Sequence, residues 1–168
     1  AFHFAVLSND YEVLGYIKPH ATKQDIYYAL MTAVDLRLLN SLNYILLIPN
    51  LNVDYVLDGM TALLRAMRQR DGSMIARLIK AGASLEAVED TPAPLDYAMI
   101  QNSARLFENM PDHMLIKSKS AYFWCQAIEL SAYNVLEILA QYCPEGINSP
   151  IDHNLNSPLH RSVMLKSA

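Results

Sequence analysis

The chain has 168 residues, 52% of them hydrophobic and 18% charged, with only 5 Gly and 8 Pro. This composition excludes a disordered segment and is enough to bury a sizeable core. A formal net charge of −4 argues against an electrostatic nucleic-acid binder, which needs a basic stripe. Two cysteines in a chain of this length give no disulfide framework and fit a reducing, intracellular setting. The longest apolar runs, such as Ile45 to Ile48, are too short to span a membrane, and the first residues lack the charged-then-apolar order of a signal peptide.

The segment from Ala21 to Asn52 is the least regular of the chain. Ile26, Ala29, Leu30 and Ala33 predict one helix. Leu36 to Ile48 is apolar for longer than a short second helix needs, which predicts an insertion of a few residues before Pro49-Asn50 ends the segment. The stretch Asp58 to Asp90 is the most regular. Asp58-Gly59 is a turn dipeptide, Thr61 is a helix N-cap candidate, and Ala62, Leu63, Ala66 and Met67 line one face of a short helix. After a break at Asp71-Gly72, Met74, Ile75, Leu78 and Ile79 form a one-sided stripe ending at Gly82, a C-cap candidate. Two short helices cannot bury both stripes, so the unit needs neighbours of its own kind. Leu106, Phe107 and Met110 predict a further helix that stops at Pro111-Asp112, and Val135, Leu136, Ile138 and Leu139 predict another.

The stretch Asp58 to Asp90 resembles one ankyrin repeat, and the resemblance extends over nearly the whole chain. Phe2-His3, Ala93-Pro94-Leu95-Asp96, Tyr122-Phe123-Trp124-Cys125 and Ser157-Pro158-Leu159-His160 fall in the family's Thr-Pro-Leu-His slot or part of it, and Asn9 stands at its helix-ending glycine. The motif is nearly literal only at Ser157 to His160; elsewhere Leu64, Asp96 and Cys125 replace its histidine, so the array is diverged. Asn52-Val53-Asp54 resembles the family's lead-in to a finger. The resemblance implies an all-α ankyrin-repeat solenoid of stacked helix-turn-helix units with short β-turn fingers. Residues 1–20 would be a partial repeat, 21–52 an irregular one, 53–86, 87–117 and 118–149 three more, and 150–168 a second partial one. The chain would then be a fragment of a longer protein.

By the same resemblance the function is non-enzymatic: binding another protein through a concave surface, with no nucleic acid and no membrane insertion, beside further domains or repeats of its own chain. Two other roles stay open, a regulatory or substrate-recruiting arm of an enzyme whose catalytic domain lies elsewhere, and an architectural spacer. Diverged arrays rich in Asn, Tyr and Lys are also similar to effector proteins of intracellular bacteria, which implies a cytoplasmic location or delivery into a host cell.

The residues themselves offer little chemistry. No phosphate-cradling Gly-rich loop, no G-x-S-x-G and no H-E-x-x-H occurs, and Cys125 and Cys143 lack zinc-site spacing, so neither catalytic residue, metal nor cofactor is expected. Cys125 reads as a buried structural thiol; His20, His113 and His153 read as solvated loop residues, and His160 as the family's structural histidine. Met74, Phe107, Tyr133 and Leu136 read as core. Arg65 and Arg68 share a helix face with i, i+3 spacing and suit a partner carboxylate or phosphate, although internal pairing is the commoner fate of an arginine. The resemblance implies a candidate partner-binding set: Leu57, Asp58 and Met60 on one finger; Arg65, Arg68 and Gln69 on the helix after it; Glu89, Asp90, Lys119, His153, Asn154 and Asn156 on later fingers; and Gln101 and Glu129 at first-helix ends.

Overall fold

Several helices of this sequence are capped by side chains at their starts, and a recurring turn stops the first helix of each pair. Thr22 accepts from the Asp25 backbone N–H while the Asp25 carboxylate accepts from that of Thr22, a reciprocal capping box. Thr61 accepts from Leu64 N–H, and Asp71 from Ser73 and Met74 N–H. The computed structural model describes residues 2–109, 119–151 and 156–165. The chain is all-α: no strand occurs among the described residues, and no described helix is long and apolar enough to cross a membrane. It divides into two compact units, Ala1–Pro94 and Leu95–Ala168.

The first unit holds three helix pairs: α1 (Phe2–Val6) with α2 (Tyr11–Ile17), α3 (Lys23–Asp35) with α4 (Leu39–Leu46), and α5 (Ala62–Arg68) with α6 (Gly72–Lys80). First helices pack on first helices, α1 on α3 and α3 on α5, while α2 packs on α4 and α4 on α6. Two rows result, with fully buried Ala29, Leu30, Ala33, Leu42, Ile45, Ala62, Met74 and Leu78 among the residues that fill the space they enclose. The extra length expected within Leu36 to Ile48 is corrected: the helix in that run, α4, has 8 residues against 9 in α6, and the long helix of the segment is α3, with 13 residues against 7 in α5. The apolar run after it is divided by a turn, and Leu36 and Leu47 near its two ends are exposed.

That turn repeats along the chain. A left-handed residue closes the first helix of each pair: Asn9, Arg37 and Arg70 in the first unit, Asn102 and Ser131 in the second, with φ between 47 and 56°. At the last four the following N–H bonds back to a buried alanine carbonyl, Leu38 to Ala33, Asp71 to Ala66, Ser103 to Ala98 and Ala132 to Ala127. This is a Schellman closure, which satisfies carbonyls left over at a helix end. It corrects the expected break at Asp71-Gly72: Arg70 takes the left-handed conformation, Asp71 caps α6, and Gly72 is its first helical residue. Gly82 (φ 91°) ends α6 in the same way, as expected.

The finger between α4 and α5 is a two-residue reversal. Leu57 and Met60 exchange both backbone hydrogen bonds, at 3.0 and 3.2 Å, across Asp58 and Gly59. Both central residues have positive φ, the type I′ pattern that an Asp-Gly pair favours.

The second unit contains most of α7 (Pro94–Ile100), then α8 (Arg105–Glu108), α9 (Ser120–Glu129), α10 (Tyr133–Tyr142), a 3₁₀ turn (Pro144–Asn148) and α11 (Pro158–Leu165). Helix α8 ends early: Asn109 Nδ2 donates to the Arg105 carbonyl at 2.7 Å. The expected stop at Met110, Pro111 and Asp112 lies outside the described residues. Helix α9 packs on α10, α11 and the 3₁₀ turn. Its Trp124 is buried and donates to the Cys143 carbonyl at 2.9 Å, and Phe123 meets Phe107 edge-on. Met74 and Phe107 are core as expected and Leu136 is half-buried, but Tyr133 is 69% exposed. It is the first residue of α10 and lies off the face buried by Ala132, Val135 and Leu139.

Candidate functional site

A groove of about 720 Å³ lies in the second unit along one face of α9. Tyr122, Cys125, Gln126 and Glu129 line it at helical spacing, with Ser149 to Ile151 opposite and Arg161 of α11 at one end. Lys119, at the N-cap position of α9, is exposed and lies at the other end. Glu129 and Arg161 are joined at 2.7 Å, tying α9 to α11. Tyr122 is partly exposed and its hydroxyl donates to Asp96 at 3.3 Å. Burial, and then the negative charge of Asp96, push its pKa above the ordinary phenol value. Burial also raises the Cys125 thiol, against the opposing pull of the Arg161 guanidinium. A thiol held protonated is a weak nucleophile. The groove wall therefore combines an aromatic ring, an amide and the Glu129–Arg161 ion pair, with Lys119 at its end.

At the start of α11, Ser157 Oγ and His160 Nδ1 lie 2.8 Å apart, and the His160 N–H points back to Ser157 Oγ at 3.4 Å. The hydroxyl–imidazole pair closes the start of α11, a structural role for His160 as expected.

The other candidates are distributed differently. Arg65 is only 9% exposed, so the expectation that it faces a partner is corrected. Its guanidinium reaches Asp35 at 2.6 Å, the Leu57 carbonyl at 2.9 Å and Asp58 at 3.2 Å, joining α3, the finger and α5. Gln69 is likewise engaged: its amide donates to the Val34 and Asp35 carbonyls and accepts from Arg37 Nε at 3.2 Å. Arg68, three residues on from Arg65, is exposed. Leu57 and Met60 are half-buried by the finger they close, and Asp58 is exposed apart from its bond to Arg65. Glu89 (φ 50°), Asp90 and Gln101 are exposed. Lys119 and Glu129 are the two candidates that the structure brings into the α9 groove. Asn156 is half-buried and its carbonyl accepts from Ile151 N–H at 2.8 Å. His153 and Asn154, like His113, lie outside the described residues. His20 is exposed, in a 3₁₀ turn.

Sequence reasoning missed Tyr122, Gln126 and Arg161 as groove residues. Tyr122, Gln126 and Glu129 fall at i, i+4 and i+7 between buried Phe123, Trp124 and Ala127, a polar stripe beside an apolar one that marks the open face of α9. Among the described residues, no group of three His, Cys, Asp or Glu side chains could hold a metal ion. A scan against protein-family models and searches of curated proteins and of solved structures returned no match to the chain.

Proposed function

We propose that the chain is a diverged ankyrin-repeat array that binds a partner protein through its first helices and the loops before them, without catalysis of its own. Support for the array comes from the helix pairs of the first unit, packed first on first and second on second. The left-handed turn that recurs in both units, the type I′ finger and the Ser157–His160 hydrogen bond support it too. The observation that carries the binding reading is the α9 groove. On this first helix the residues that do not serve the core, Tyr122, Gln126 and Glu129, line an open groove, and Lys119 stands at its end. An aromatic ring flanked by polar groups, with an arginine near by, is the composition of a protein-recognition surface. The protonated Cys125 thiol suits recognition better than attack.

The test is site-specific photo-crosslinking in cell lysate, with a photoreactive side chain placed at Gln126 in the groove or at exposed Glu137 on α10. The reading expects one dominant adduct from Gln126 that is absent from Glu137. Equal labelling from both positions, or none from Gln126, would reject it.

A further inference from the structure

A second groove, about 530 Å³, lies in the first unit among the second helices of its pairs. Tyr11 of α2, Asn43 and Leu46 of α4, Leu47 just after it, and Arg77 and Lys80 of α6 line it. Two features separate it from ordinary packing. The first is apolar surface left in water: Leu47 is 76% exposed and Tyr11 is partly exposed. The second is the charge. Two cations and no carboxylate line the groove, and Asp10 and Glu12, which flank Tyr11 in the chain, are not part of its wall. A third cation, Lys18, stands 5.9 Å from the ring of Tyr44, against which Tyr11 packs edge-on.

Arg77 differs from the other half-hidden arginine of this unit. Arg65 has three acceptors, two of them carboxylate oxygens. Arg77 has no carboxylate within ion-pair distance among the described residues; the Nε atoms of both arginines are buried with no acceptor, so the missing counter-charge is what sets Arg77 apart. An arginine held partly out of water without a counter-charge is a costly arrangement that an external carboxylate relieves, because guanidinium accepts such a partner in a two-point grip.

We propose that this groove binds an acidic peptide segment of a partner protein, with a carboxylate on Arg77 and Lys80 and a bulky apolar side chain against Leu46, Leu47 and Tyr11. Charge complementarity selects the acidic segment, and the exposed leucine selects an apolar neighbour on it. The site is on the second-helix row, so it stands or falls separately from the α9 groove.

The probe is a fluorescein-labelled peptide alternating glutamate and leucine, read by fluorescence anisotropy against the full chain. The expected result is saturable binding that Arg77→Gln weakens by roughly tenfold or more, the loss of one charge-assisted contact. Lys80→Glu and Leu47→Ser change exposed side chains that the fold does not need, and each is expected to weaken binding with an unchanged melting temperature. They keep the test valid if Arg77→Gln unfolds. A glutamine-for-glutamate peptide is expected not to bind, and free glutamate not to compete. The proposal is overturned by absence of saturable binding, by equal binding of the glutamine peptide, by competition from free glutamate, or by loss of binding on Arg68→Gln but not on Lys80→Glu.

Discussion

Gly146 provides a sharp test of how the second unit is packed. A Cβ placed there would lie 2.6 Å from Trp124 Cδ1 and 2.7 Å from Ser120 Cβ, closer than nonbonded carbons approach. The constraint is room, since φ at Gly146 is not positive. Neither neighbour yields easily: Trp124 is buried and tied to the Cys143 carbonyl, and Ser120 is buried in the first turn of α9. One methyl group forced into this contact is an overpacking change, which costs about 1–3 kcal/mol. Gly146→Ala should therefore lower the urea midpoint by that free energy divided by the slope, with the slope itself unchanged. Trp124 is the only tryptophan of the chain, so its fluorescence reports this unit directly. An unchanged midpoint in Gly146→Ala would mean that Trp124 and the 3₁₀ turn do not pack as described.

Three further outcomes follow from the turns, the buried arginine and the groove. Asn102 takes a left-handed conformation and its side chain accepts from Asn134 N–H at 2.9 Å. Asn102→Gly should lose about 1 kcal/mol for that bond, and Asn102→Ala a further ~1 kcal/mol for backbone strain, in the same urea assay. Arg65→Ala removes three hydrogen bonds; because Asp58 is well exposed, Asp35 carries most of the effect, and the loss should be about 1.5–3 kcal/mol by chemical denaturation. Cys125 and Tyr122 both have raised pKa values in the fold, so the unfolded chain gives up these protons first. Their contribution to stability is present below the ordinary thiol value of 9.0 and is lost as pH rises above it, so denaturation midpoints should fall from there upward and fall less in Cys125→Ala.

The helical class and much of the core were legible in the sequence because short amphipathic stripes and their caps are local signals. Thr61, Gly82 and the Asp58-Gly59 reversal behave as their residue types dictate. The left-handed closure was legible where Asn9 holds it and hidden where Arg37, Arg70 and Ser131 do, since none of these residues advertises a positive φ. There the closing hydrogen bonds are local, but burial of the alanine that accepts one of them is a tertiary fact. The same limit explains Arg65. Its spacing from Arg68 suggested a common surface, yet three acceptors drawn from α3 and the finger hold it inside. Tyr133 failed in the opposite direction: its ring lies off the face that Ala132, Val135 and Leu139 bury. The α9 groove was half legible, through Lys119 and Glu129. Its other charged wall, Arg161, comes from a helix more than thirty residues away, and no local pattern announces that meeting.

The central claim, that first-helix surfaces carry recognition, is tested most directly by quantitative affinity capture from cell lysate with the parent chain and with a Gln126→Arg, Arg68→Glu variant shown by circular dichroism to be equally folded. Both positions lie outside the core, and neither enters the second-helix groove. The account predicts at least one protein that the parent retains and the variant loses. Identical captures from the two, or no specific capture by the parent, would contradict it.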